Sequence, residues 1–218
     1  MPRDLFDDLP PEASPAATQL APGAVLLHGF AHNEAMELWQ AVQAVVAQAP
    51  LRHMQTPGGF TMTVATTSCG PLGWVTSAQG YRYAALDPHS DQPWPARPAC
   101  FLALAQRAAA EAGFVGFAPD ACLINRYVPG AKLSLHQDLD EQNLAAPIVS
   151  VSLGLPAVFL FGGLRRADRP KRYRLLHGDV VVRGGPSRLA FHGVLPLADG
   201  EHALLGGQRI NLTFRQAG

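Results

Sequence analysis

The sequence predicts a mainly β fold of the α+β class, a jelly-roll barrel behind two helices. Three observations point there. From Asp120 onward, short strand-like runs follow one another: "ACLINRY", "LSLHQD", "IVSVSLG", "AVFLF", "YRLLHG", "DVVVRG", "RLAFHG" and "RINLTFR". Most are separated by glycine, proline or polar turns, the pattern of a sandwich or barrel. The 21 glycines and 19 prolines are spread along the 218 residues, which suits short elements joined by turns better than a helical bundle. Apolar residues make up 48% of the chain, enough for one large core, and neither a linker nor an internal repeat divides it.

The elements follow in order. Residues 1–22 are acidic and proline-rich and read as a flexible arm. They lack the basic and apolar regions of a signal peptide. Residues 23–218 read as one domain. "AVLLHGF" is a short strand. "NEAMELWQAVQAVVAQAP" is a helix capped by Asn33, with Glu34 and Glu37 in its first turns and Pro50 after its end. "FTMTVATT" alternates and is β-branched, so a strand. Residues 68–97 are rich in glycine, proline and aromatics without a clear period, and read as a long loop or hairpin of the kind that carries function. "PACFLALAQRAAAEAGF" is a second helix between Pro98 and Gly113. Residues 120–218 form the barrel.

Charge and cysteines set limits on function. The 17 basic and 17 acidic residues cancel, so overall charge draws no partner and any nucleic-acid contact needs a local patch. One such patch is "RRADRPKRYR", residues 165–174. Its alternative reading is a solvated face. Cys69, Cys100 and Cys122 include no CxxC and read as free thiols of a reducing compartment. No run approaches the ~18 apolar residues of a membrane span. The expectation is a cytoplasmic protein with no membrane contact.

Chemistry concentrates in "LSLHQDLDE". His136 and Asp138, two apart, share one face of a strand, and Asp140 continues that face. His192 ends a later strand. Two histidines and a carboxylate on barrel walls suit ferrous iron, held by one face with positions open for a co-substrate and O2. In "RINLTFR", alternation puts Arg209, Asn211, Thr213 and Arg215 on one face and Ile210, Leu212 and Phe214 on the other. Guanidiniums turned into a barrel need an anion. The two arginines are ~20 Å apart along an extended strand, close enough for long side chains to hold a small diacid. Asn125 and Tyr127 alternate to one face and are suitable neutral donors.

These pieces, with "TPGGFTM", "GPLGW", "QGYRY", "DACLINRYVPGAKLSLHQDLDE", "PIVSVSLGLPAVFLFGG", "HGDVVV", "SRLAFHG" and "RINLTFRQAG", resemble the AlkB family of Fe(II)/2-oxoglutarate-dependent dioxygenases over residues 22–218. The resemblance implies a double-stranded β-helix (jelly roll) with a nucleotide-recognition lid at residues 50–97. It implies Fe(II) on His136, Asp138 and His192. It implies 2-oxoglutarate held by Asn125, Arg126, Tyr127, Arg209, Asn211 and Arg215, with Arg209 at the distal carboxylate and Arg215 nearer the metal. Substrate contacts carried over are Trp74, Tyr81, Tyr83, Asp140 and Arg166. The implied activity is oxidative demethylation of 1-methyladenine and 3-methylcytosine in alkylated DNA, preferably single-stranded, and in RNA, with O2 as co-substrate and no obligate protein partner. Those two lesions are cationic, which gives Asp140 a role; its alternative is a solvated acidic turn with Glu141. The chain departs from the family pattern at Arg183, where relatives carry an aromatic, and at Phe60, often Tyr. The rival functions are an oxygenase of proteins or metabolites, which has no need of the basic run or an aromatic lid, and a non-catalytic jelly-roll binding module.

Overall fold

A computed structural model describes residues 16–77 and 80–218. The first fifteen residues of the expected arm lie outside the described residues. The last part of that arm is not loose: Ala17–Ala21 forms strand β1 and pairs with β2 (Ala24–Leu27).

Twelve of the sixteen described strands build two principal sheets, and the other four pair as two hairpins. The larger has eight strands, ordered β1-β2-β14-β11-β16-β9-β4-β3. Its later members are β3 (Arg52–Gln55), β4 (Thr61–Cys69), β9 (Ala121–Tyr127), β11 (Ile148–Gly154), β14 (Val180–Arg183) and β16 (Arg209–Arg215). The smaller runs β10 (Leu133–His136), β15 (His192–Val194), β12 (Ala157–Phe161) and β13 (Lys171–Leu175). All eight strands expected after Asp120 are present. The "RLAFHG" run is shifted, because only its end pairs and residues 185–187 make a 3-10 turn.

The helices cover the outer face of the large sheet. α1 (Ala35–Gln48) buries Ala35, Leu38, Val42 and Val45, a one-sided stripe at helical spacing. α2 (Ala99–Glu111) buries Phe101, Leu104, Ala105, Ala108 and Ala109. Both pack on Ile124, Val149, Val151, Val180, Val182, Ile210, Leu212 and Phe214 of the sheet. Truncating a fully buried residue such as Leu104 to Ala costs about 2–5 kcal/mol. Asn33 does not cap α1; a 3-10 turn over His32–Glu34 leads into it without a side-chain cap, and Glu34 instead pairs with Arg107 of α2. A second cluster, with Leu26, Phe159, Phe161, Leu175, Val181 and Val194, fills one end of the space between the sheets.

Residues 68–97 are more ordered than their composition suggests. β5 (Gly73–Ser77) and β6 (Gly80–Ala84) form a hairpin, and β7 (Leu86–Asp87) and β8 (Gln92–Pro93) a smaller one. Trp94 anchors this region by donating to the Ala84 carbonyl. Among the described residues no helix is long and apolar enough to cross a membrane.

Candidate active site

Two strands of the smaller sheet bring the first ligands together. β10 and β15 are antiparallel neighbours, and His136 stands opposite His192 in their register. Opposed side chains on one face are close neighbours, and here the imidazole centroids lie 4.3 Å apart. Gly193 permits this approach, because a Cβ there would come 2.7 Å from the Leu133 carbonyl oxygen. Asp138 follows just past β10 and is buried. Its Oδ1 is 3.7 Å from His136 Nε2, and its Oδ2 is 3.7 Å from His192 Nε2. One ligand atom from each residue lies within 4.8 Å of the other two.

Each imidazole is oriented from behind. His136 Nδ1 is 2.8 Å from the Ser134 carbonyl, and His192 Nδ1 is 3.1 Å from the Ala190 carbonyl. A carbonyl only accepts, so both Nδ1 atoms carry the proton and both Nε2 lone pairs are left for a metal. Burial lowers the pKa of His136, and burial with Arg183 beside it lowers that of His192 further. Both rings are neutral at pH 7, the form that ligates. Burial alone would raise the Asp138 carboxyl, but Arg215 and Arg183 outweigh it and hold it well below the usual carboxylate range. Two neutral imidazoles and one carboxylate fit Fe(II) with open positions.

A cavity of about 730 Å³ opens over this cluster. Arg209, Asn211, Thr213 and Arg215 line it, while Ile210, Leu212 and Phe214 sit in the core beneath the helices. The register pairs Arg209 with Tyr127 and Asn211 with Asn125, so these four form a patch on one wall. Arg209 is fully buried, lies 5.0 Å over the Tyr127 ring and donates through Nη2 to Ser152 Oγ at 3.0 Å. Its Nε and Nη1 have no partner among the described residues. A buried guanidinium with two unmet donors is costly, and a carboxylate would complete it. Arg215 sits at the metal end, its Nη2 3.1 Å from Asp138 Oδ2 and its Nε 3.0 Å from Glu141 Oε1. The donor set therefore fits a diacid as well as iron. Asn211 braces the wall instead of offering a free amide: it donates to Ser150 Oγ and the Val151 carbonyl and accepts from Thr213.

Two expected residues are not on the cavity wall. Arg126 alternates to the face opposite Asn125 and Tyr127 and does not line the cavity. Arg166 donates to the Leu135 carbonyl at 2.9 Å and lies 5.8 Å over the Phe191 ring. It braces the two strands that carry the histidines from outside the cavity.

The hairpin closes the other side. Trp74, Tyr81 and Tyr83 line the cavity, and Trp74 stacks on Tyr81 with centroids 5.4 Å apart and planes 16° apart. The Trp74 indole N–H donates to Asp140 Oδ2 at 2.9 Å, and the Tyr83 hydroxyl to Glu141 Oε1 at 2.9 Å. Burial pushes the Tyr83 hydroxyl above its ordinary pKa, so it stays a donor.

Sequence reasoning missed Arg188 and did not foresee the parts taken by Glu141 and Arg183. Glu141 is no solvated turn residue; it is buried and ion-paired to Arg215 and to Arg188, 3.0 Å from each. Arg188 also donates to the Asp138 and Ala146 carbonyls. Arg183 donates through Nη2 to Asp138 Oδ2, with His192 Nε2 3.0 Å from the same nitrogen. The signal available was the surplus of arginines in apolar strand contexts, each needing a carboxylate indoors.

The profile of the 2OG-Fe(II) oxygenase superfamily matches residues 23–215. The alpha-ketoglutarate-dependent dioxygenase AlkB of Escherichia coli K12 is 60% identical over 215 residues, covering 99% of this chain and 98% of that protein. The chain belongs to the AlkB family. The tRNA demethylase abh1 of Schizosaccharomyces pombe is 31% identical over 158 residues, 66% of this chain and 52% of that protein. The solved structure of OsALKBH1 superposes with a TM-score of 0.82 at 28% identity, over 92% of this chain and 99% of that one. As an AlkB-family dioxygenase the protein uses Fe(II) and 2-oxoglutarate, and its fold is the jelly roll of that family.

Proposed function

We propose that this dioxygenase demethylates cationic N-alkylated bases, 1-methyladenine and 3-methylcytosine, in DNA and secondarily in RNA, with single strands preferred. The observation that carries the reading is the stacked Trp74–Tyr81 pair on the cavity wall, tied through Asp140 to the stretch that bears the metal ligands. An oxygenase of small metabolites has no need of an aromatic platform beside its metal. The name of the yeast relative, a tRNA demethylase, supports a nucleic-acid substrate.

His136, Asp138 and His192 would hold the iron, which when bound would supply the oxidation of the N-methyl group to formaldehyde, coupled to conversion of 2-oxoglutarate and O2 to succinate and carbon dioxide. The chain's own residues do the rest. Arg209 takes one carboxylate of 2-oxoglutarate with its unpartnered N–H groups, and Arg215 supplies positive charge at the metal end. Tyr127 and Asn125 are neutral donors on the same wall. A base in a duplex cannot reach a cavity inside a barrel, so the nucleotide is flipped or already single-stranded. Base–aromatic stacking contributes about 1–3 kcal/mol, and Trp74 and Tyr81 offer that surface. Asp140 keeps its negative charge when it accepts from the indole, so it favours a methylated cationic base over its neutral parent. The segment at residues 50–97 acts as the nucleotide-facing lid, with Thr56, Phe60, Trp74, Tyr81 and Tyr83 on the cavity wall, and the barrel from residue 120 onward is the catalytic core.

The test has two steps. Anaerobic titration should show binding of Fe(II) and 2-oxoglutarate that Asp138→Ala abolishes. Turnover on a 1-methyladenine oligonucleotide should then release formaldehyde in step with succinate. Binding of Fe(II) and 2-oxoglutarate without formaldehyde from any methylated oligonucleotide would move the substrate to another class.

A further inference from the structure

We propose that Arg183 is a built-in placeholder for the metal: its guanidinium holds the iron ligands in the metal-free protein and withdraws when the ion binds. This rests on the assignment of iron to His136, Asp138 and His192. The motivating geometry is specific. One nitrogen, Nη2, donates to Asp138 Oδ2 and stands 3.0 Å from His192 Nε2. His192 Nδ1 faces the Ala190 carbonyl, so the lone pair facing Arg183 is the one a metal would use. A lone pair cannot serve an N–H proton and a metal ion together. Two of the three ligand residues are thus engaged by one cationic nitrogen.

The rest of the side chain is arranged for such a role. Arg183 is the last residue of β14, on the sheet facing the strands that carry the histidines, and it is 3% exposed. Its Nη1 donates to the Arg188 carbonyl at 2.9 Å, a bond that involves no metal ligand and need not break when Nη2 leaves. Burial lowers its pKa to about 10, so the group is still a cation at pH 7. Asp138 already has Arg215 as a second cationic neighbour. A divalent ion on the same carboxylate would repel both guanidiniums, and Arg215 is additionally paired with Glu141. Among the described residues Arg183 has no second carboxylate, so it is the one to move. Metal uptake then includes the loss of a charge-assisted hydrogen bond, which weakens the apparent affinity. The same bond keeps the buried carboxylate compensated when no metal is present.

The experiment measures metal binding and metal-free stability, with Mn(II) as the probe and no 2-oxoglutarate or O2. Arg183→Met keeps the volume and removes the competing donor. It should bind Mn(II) about 10- to 150-fold more tightly than the parent, the equivalent of one charge-assisted hydrogen bond. Its metal-free form should melt at a lower temperature, and Mn(II) should raise its melting point further than it raises the parent's. A second measurement uses the parent alone: the Arg183 guanidinium nitrogen resonance should shift when diamagnetic Zn(II) is added. If Arg183→Met does not fold, this measurement decides. Equal or weaker Mn(II) affinity in a folded Arg183→Met, or an unmoved guanidinium resonance at Zn(II) saturation, would overturn the placeholder role while leaving the iron assignment intact. A parent that takes no metal in a His136-dependent manner would overturn both.

Discussion

Glu141→Ala tests whether the missed carboxylate holds the site together. In the parent, Glu141 is buried, 3.0 Å from both Arg188 Nη2 and Arg215 Nε, and accepts from the Tyr83 hydroxyl at 2.9 Å. Removing it leaves two buried guanidiniums and a half-buried phenol short of a partner. Breaking one buried ion pair by deleting a partner costs about 3–5 kcal/mol. Arg215 retains Asp138, so the loss falls mainly on Arg188 and the single-pair figure applies. In a chain of this size each kcal/mol moves the melting temperature by about 2–4 °C, so the expected drop is roughly 6–20 °C. The assay is urea and thermal unfolding of the metal-free protein, followed by the double variant Glu141→Ala with Arg188→Met. Removing both charges should recover much of the loss, since an absent pair costs less than half a pair. A drop under about 1 kcal/mol, the range of exposed pairs, or losses that simply add in the double variant, would refute the reasoning.

Three further outcomes are expected. Arg209→Ala should weaken 2-oxoglutarate binding about 10- to 150-fold, since it removes a charge-assisted contact, while leaving Mn(II) affinity unchanged; calorimetry of the two ligands separately would expose an error if both or neither moved. Asp140→Ala should reduce kcat/KM on cationic 1-methyladenine more than on neutral 1-methylguanine in matched oligonucleotides, and equal losses would assign Asp140 a purely structural part through Trp74. Replacing Lys171 and Arg172 together by Ala should flatten the slope of log affinity against log salt on single strands by about 1.4, at 0.7 per phosphate contact; an unchanged slope would return both residues to a solvated edge.

Much of the barrel was legible because short strands announce themselves twice, by alternation and by the turns that end them. "RINLTFR" is the clearest case, with each of its seven residues facing the side expected from parity alone. The metal ligands were legible for the same reason: His136 and Asp138 share parity, and a third histidine ends a later strand. Arg126 shows the limit. The resemblance carried it over with Asn125 and Tyr127, but strand parity turns it to the opposite face, away from the cavity. β1 was hidden because its residues, Ala17 to Ala21, carry little apolar alternation and owe their strand to β2 beside them. The β5–β6 hairpin is short and rich in glycine and aromatics, and its order comes from packing and from Asp140 and Glu141, far along the chain. The run at 165–174 read as one basic patch, yet Lys171, Arg172 and Arg174 lie on β13 at the open edge of the smaller sheet, where charge also discourages pairing with another chain. The surplus of arginines in strand contexts signalled that some must pair indoors, but which of them meets Asp138 or Glu141 was not legible, since a side chain's burial is decided by what folds over it.

The same reasoning explains why the helices matter to chemistry they never touch. β16 carries the proposed diacid grip on one face and core residues on the other. Because the side-chain period is two, a slip of one residue would turn Ile210, Leu212 and Phe214 into the cavity and bury Arg209 and Arg215 against the helices. Hydrogen bonds to β9 and β11 do not forbid this, because a ladder reforms after a slip. The side chains forbid it. Phe214 meets Phe101 of α2 edge to face at 5.9 Å, and Ile210 and Leu212 are packed in the same cluster as Leu38, Val42 and Leu104. In the slipped register, guanidiniums would face that apolar layer without partners, at several kcal/mol each. α1 and α2 therefore set the register of β16, the register sets which nitrogens face the cavity, and the position of Arg215 beside Asp138 follows from packing on the far side of the sheet.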